Sequence, residues 1–147
     1  MNKIRKEGII MNYLLVSPNF PTSQESFARK LVEKGVRVLG IGSENYDNLT
    51  DGLKNSLTEY YKVNDLENYE EVLRGVAFLI YKHGVIDRVE SNNEYWLTLD
   101  SIIREQFNIP GVKPKDLDFT KYKSKMKERF IKAEVPVAKG RAVKTIK

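Results

Sequence analysis

Apolar residues come in two patterns along this chain, short continuous runs and stripes of helical spacing, and the two alternate. Residues 12–17 (NYLLVS) form a continuous apolar run that stops at Ser-Pro, as a buried strand does. A turn over residues 17–21 follows. Thr22, with Glu25 three residues on, has the spacing of a capping box; Phe27, Ala28, Leu31 and Val32 give the helix after it an inner face, and Gly35 ends it. Residues 36–41 read as a second strand, and residues 42–47 as a polar loop. Leu49, Leu53 and Leu57 mark a short helix despite Gly52, and residues 60–63 a third strand. Asn68 and Glu71 repeat the capping-box spacing ahead of Val72, Leu73, Val76, Ala77, Leu79 and Ile80. That stretch predicts a mostly buried helix closed by Gly84, with a strand over residues 76–81 as the alternative. Residues 85–89 are the fourth strand. Ser91 and Glu94 make a third capping-box pair, Tyr95, Leu99, Ile102, Ile103 and Phe107 form the next apolar face, and Ile109-Pro110-Gly111 closes it.

Four alternations of strand and helix, with crossovers long enough for parallel pairing, predict an α/β fold: an open, mostly parallel sheet with helices on both faces. A last periodic segment follows. Tyr122, Met126 and Phe130 recur every four residues with Ile131 and Ala133 beside them, so one stripe is expected to face a core while lysines fill the other side. Thr120 can cap this helix, Pro136 forbids it beyond Val135, and Val137 and Val143 can open a strand.

Charge divides the chain where the periodic pattern does. The 147 residues carry a formal net charge of +5, but residues 1–112 hold 13 Lys+Arg against 16 Asp+Glu, and residues 113–147 hold 12 against 4. The expected organisation is a leader over residues 1–11, an α/β domain over 12–112, and a basic segment over 113–147. Either Met1 or Met11 can head the native chain. With no cysteine there is no disulfide framework, thiolate metal site or cysteine nucleophile. No apolar run approaches the ~20 residues of a membrane span, so a cytoplasmic protein without a membrane partner is expected. The basic segment can favour phosphate or nucleic acid. It lacks the aromatic platforms of single-strand binders and has no helix-turn-helix pattern, which argues against nucleic acid.

In such a sheet, ligands collect at the carboxyl ends of the strands. The first loop carries Ser17 and Asn19 but no G-x-G-x-x-G, so a dinucleotide fingerprint is absent, although its backbone N–H groups can hold an anion. Gly40-x-Gly42 is read as close packing at a strand end. The densest polar cluster, Glu90-Ser91-Asn92-Asn93-Glu94-Tyr95-Trp96, makes Glu90 the first candidate for a functional carboxylate, with Asn93 and Glu94 as further substrate-facing candidates. Glu94 also fits a plain capping role, and Trp96 fits packing. His83, the single histidine, sits at a helix C-terminus where the dipole favours its charge; no metal site is expected from it.

The order Lys123-x-x-Met126-Lys127, then Ala133-Glu134-Val135-Pro136-Val137, resembles the start of the nucleotide-binding domain of ATP-grasp enzymes of the biotin-carboxylase and carbamoyl-phosphate-synthase type. The resemblance implies that the α/β part is a Rossmann-like pre-ATP-grasp domain and that the basic segment is a linker helix and the truncated start of the grasp. It also implies that Lys123, with Arg141 past the turn, contacts nucleotide phosphates. ATP and Mg2+ are the cofactors it implies for the full-length protein, and a small-molecule carboxylate is the substrate. It allows a homodimer. The parent reaction makes an acyl phosphate that an amine displaces, whereas residues 1–147 alone are expected to hold no catalytic residue, to bind no Mg-ATP tightly and to be inactive. Two positions depart from the pattern. Tyr122 replaces a common Asp, and Glu134 replaces the glycine that usually takes φ > 0 after the helix, which either costs roughly 1 kcal/mol or forces another helix ending. The alternative is a stand-alone small-ligand-binding or regulatory α/β module without ATP chemistry.

Overall fold

The computed structural model describes residues 10–140. Four strands, β1 (Asn12–Val16), β2 (Arg37–Gly42), β3 (Glu59–Lys62) and β4 (Arg88–Glu90), form one sheet in the order β3-β2-β1-β4, with every pairing parallel. Asn12 lies opposite Arg37, Leu39 opposite Glu59 and Tyr13 opposite Arg88. Helices α1 (Gln24–Glu33), α2 (Asp51–Ser56), α3 (Tyr69–His83) and α4 (Leu97–Gln106) join and follow the strands.

Alternation along the strands sends side chains to two cores. Leu14, Val16, Leu39, Ile41 and Val89 meet Val72, Val76 and Leu79 of α3 and Leu99 and Ile103 of α4. Leu15 and Val38 meet Ala28 of α1 and the Leu49–Leu53–Leu57 stripe around α2. Helices therefore cover both faces, and the fold is the Rossmann-like α/β sheet the pattern implied. The fourth strand is shorter than residues 85–89. The Asn12 side-chain amide takes the carbonyls of His83 and Val85, each at 2.9 Å, and the Asp87 carboxylate takes the Asn12 N–H at 2.8 Å, so ladder pairing begins only at Arg88. Residues 76–81 are helical, and Gly84 at φ +86° ends α3.

The three capping boxes fare differently. At the start of α1 the Thr22 side chain caps nothing, and Glu25 turns to the Thr50 hydroxyl instead. Asn68 caps α3 by accepting from the Glu71 N–H at 3.2 Å, but the Glu71 carboxylate accepts from the backbone and side-chain N–H of Asn64, at 2.9 and 2.8 Å. Ser91 is not a cap. Asn93 caps the 3-10 turn Glu94–Trp96 by accepting from the Tyr95 N–H at 3.0 Å, and α4 continues from there. In each case a partner distant in sequence, or a nearer cap, displaces the local bond.

The basic segment corrects the expectation of one helix packed on a core. It forms two, α5 (Pro114–Lys121) and α6 (Lys123–Lys132), separated at Tyr122, whose ψ of 112° is extended. Thr120 lies inside α5 and donates its hydroxyl to the Leu117 carbonyl at 2.9 Å, so it caps nothing. α5 packs on α4 and buries Leu117, while α6 packs on α5 and buries no residue. Tyr122, Phe130 and Ile131 stand exposed because the extended link swings α6 past the edge of the body. Glu134 takes φ +56°, and the Val135 N–H closes the helix on the Phe130 carbonyl at 2.9 Å. No strand follows α6 among the described residues.

Candidate functional site

From β1 the chain crosses to β2 on one side, and β4 arrives on the other, so the switch point lies between the loops that follow β1 and β4. The protein itself fills this crevice. Gln24, the buried first residue of α1, donates its side-chain amide to the Ser91 carbonyl and accepts from the Asn92 amide at 3.2 Å. Ser17 and Asn92, in the loops that follow β1 and β4, take φ of 53° and 51°. Left-handed backbone at a residue other than glycine costs of order 1–3 kcal/mol and persists only where its surroundings hold it.

A charged layer lies beneath. The Ser91 N–H and hydroxyl both donate to Asp100 Oδ2, at 3.0 and 2.6 Å. Asp100 is fully buried, and its Oδ1 takes no hydrogen bond from the protein. Burial pushes its carboxyl up to about 6, against the Ser91 bonds and the Arg104 charge, which pull it down. Arg104, also buried, donates Nη2 to Glu90 Oε2 at 2.9 Å and to the Val89 carbonyl at 2.8 Å, while its Nε is unpaired. Gly111, at φ +135°, makes room for it: a Cβ there would stand 2.7 Å from Arg104 Cδ. The Glu90 carboxylate is thus oriented by a buried guanidinium and partly exposed, with an oxygen able to accept a hydrogen bond from a ligand.

The residues singled out in the sequence do not converge. Ser17 is buried at the end of β1, its N–H on the Ile41 carbonyl at 2.8 Å. Asn19 is exposed on a cavity of about 240 Å3 shared with Glu25, Glu44 and Thr50. Glu90 lines another of about 250 Å3, with Arg104, Gly111, Leu117 and Thr120. Asn93 is occupied as a cap, and Glu94 lines a wider groove beside Trp96. Lys123 is exposed at the first residue of α6, away from all three cavities. Arg141 and Val143 lie outside the described residues. Gly40 and Gly42 pack closely, as read: a Cβ on Gly42 would meet the Tyr60 hydroxyl at 2.6 Å. His83 contacts Glu59, which also pairs with Lys82 at 2.7 Å, a structural arrangement.

Gln24, Asp100 and Arg104 escaped the reading of the sequence. A signal was there for two of them. Asp100 and Arg104 are four apart and sit beside Leu99 and Ile103, so both fall on the stripe that α4 turns inward. A charged pair at buried helical positions needs partners, and partners mark a built site. Gln24 carried no such signal, because a polar residue in the first turn of a helix is ordinary.

No protein-family model matches the chain, and no curated protein does. Among solved structures it is similar to the L-amino acid ligase from Bacillus licheniformis, with a TM-score of 0.58 and 14% identity. The match covers 86% of this chain and 31% of that one, so the chain spans about a third of the ligase's length. At that identity the likeness is one of fold.

Proposed function

We propose that this chain is the front part of an ATP-grasp ligase that activates a small-molecule carboxylate as an acyl phosphate and joins it to an amine or similar nucleophile. The observation that carries the reading is the fold likeness to an L-amino acid ligase, which runs over nearly the whole chain. The Lys123-x-x-Met126-Lys127 and Ala133–Val137 pattern, of the biotin-carboxylase and carbamoyl-phosphate-synthase type, supports it from the sequence. The exposed stripe of α6 supports it from the structure, because a linker helix would need a further layer to cover Tyr122, Phe130 and Ile131.

The described residues do not by themselves compose a nucleotide site. No group of three or more Asp, Glu or His among them can hold a metal ion, and Lys123 lines none of the three cavities described above. ATP and Mg2+ belong to the parent protein in this reading, and no step is assigned to them here. In the overall reaction a carboxylate oxygen attacks the γ-phosphorus and ADP leaves; the amine nitrogen then attacks the acyl carbon and phosphate leaves with the bonding electrons. This chain's part is to present the half-exposed Glu90 and the loops at the strand ends.

The test is a hydroxamate assay on the product of the natural reading frame, with ATP, Mg2+, a panel of amino-acid carboxylates and hydroxylamine. Hydroxamate formed together with ADP is expected, and none from residues 1–147 alone. ATP turnover by residues 1–147, or AMP as the nucleotide product, would overturn the proposal. If the full product makes no hydroxamate but a carboxylate or amino acid raises its melting temperature without ATP, the chain is a ligand-binding module instead.

A further inference from the structure

One wide concavity of the described surface belongs neither to the switch point nor to Glu90. It is a groove of about 800 Å3 between the loop before α3, the 3-10 turn before α4, and the end of α5. Three aromatic rings line it, Tyr69, Tyr95 and Trp96, with Leu99 and two carboxylates, Glu67 and Glu94. Tyr95 and Trp96 meet edge to face, with centroids 4.7 Å apart and planes at 85°, so two ring surfaces stand at a right angle. The Tyr95 hydroxyl donates to Glu67 Oε1, which fixes the ring and the carboxylate together. The Glu94 carboxylate takes neither a hydrogen bond nor an ion pair among the described residues. The cation of the groove, Lys121, is tied to the Thr98 hydroxyl at 3.0 Å.

These features share one electrostatic sense. Ring faces carry the negative lobe of the aromatic quadrupole, and two carboxylates add two negative charges against one tethered ammonium. A metal ion would need several oxygens converging at short range, and no metal-ligand group exists among the described residues. A neutral apolar ligand would leave the Glu94 charge unanswered. We propose that this groove binds an organic ammonium group, whose methyl or methylene surface lies on Tyr95 and Trp96 while its charge faces Glu67 and Glu94. The inference stands apart from the ligase reading, because it uses neither Glu90 nor any ATP chemistry.

Trp96 is the chain's single tryptophan and lines the groove, so its fluorescence reports on occupancy there. The folded protein is titrated with choline, propylamine, the neutral choline isostere 3,3-dimethylbutanol, and adenosine. A saturable change with choline or propylamine, and none with the isostere, is expected; which amine is tighter tells a quaternary source from a primary one. Glu94→Gln and Glu67→Gln should each weaken that binding by about tenfold, within the range a desolvated cation and its counter-charge contribute. Both residues are on the surface, and unchanged melting of each variant verifies that it folds. Equal binding of the isostere or of adenosine would make the groove an apolar or base-stacking surface and overturn the proposal. So would a fluorescence change that follows protein concentration alone, which would mark self-association, or no saturable change with either amine.

Discussion

Asp100 is an acid held where its charge is costly, and the pH dependence of folding should expose it. Its carboxyl titrates near 6 in the folded chain, against about 3.9 when unfolded. A raised folded value means that its contribution to stability is complete below pH ~4 and is lost as pH rises through 6. Two units amount to on the order of 2–3 kcal/mol. Asp100→Asn should therefore flatten the stability profile between pH 4 and 7, which urea titrations at a series of pH values will measure. An unchanged profile would mean that Asp100 ionises freely. At Gly75 two effects compete. Alanine in mid-helix is favoured by roughly 1 kcal/mol, but the added Cβ would stand 2.7 Å from Tyr61 Cδ1 and 2.9 Å from Ile41 Cδ1. Overpacking costs about 1–3 kcal/mol, so Gly75→Ala should lower stability by about 1 kcal/mol in urea; a gain would show that Tyr61 moves aside cheaply.

Among the elements, α6 carries its own local flaw and buries nothing to offset it. Glu134 holds a left-handed conformation that glycine adopts freely. Glu134→Gly should strengthen the end of α6 by about 1 kcal/mol. Because the helix buries no residue, the gain belongs in the hydrogen-exchange protection of amides 130–135, with the global unfolding midpoint unmoved. A shifted midpoint with unchanged exchange would mean that α6 is coupled to the body after all. The capping boxes teach the same lesson about elements. The spacing of Thr22 and Glu25 is right, but Thr50, brought close by the α1–α2 packing, takes the Glu25 carboxylate.

For the whole molecule, the two cores draw no residue from beyond Ile109, so the sheet and its four helices carry the stability. A chain ending at Lys121 keeps α5 and its buried Leu117. Its unfolding free energy should lie within about 0.5 kcal/mol of the parent, as expected when no buried residue is removed among the described ones. A larger loss by calorimetry would show that α6 braces the body. The same cut removes more than the whole net positive charge and leaves the chain slightly acidic, so retention on a cation exchanger should fall sharply.

The order of strands and helices and the two-sided sheet were legible along the chain, and the positive φ at Glu134 is one of the two helix endings the sequence allowed. Short apolar runs, helical stripes and a helix-ending pattern are local properties, set by backbone geometry that each segment carries with it. The break at Tyr122 and the exposure of the α6 stripe were not legible, since a stripe states what a helix can bury and not whether a partner lies within reach. Nor was the site. Gln24, Ser91, Asp100 and Arg104 come from three separate stretches, and only the meeting of the β1 and β4 loops over α4 brings them into hydrogen-bond range. Burial then decides what they can do chemically: it raises the Asp100 carboxyl, while Arg104, at the same depth, reaches out to the Glu90 carboxylate.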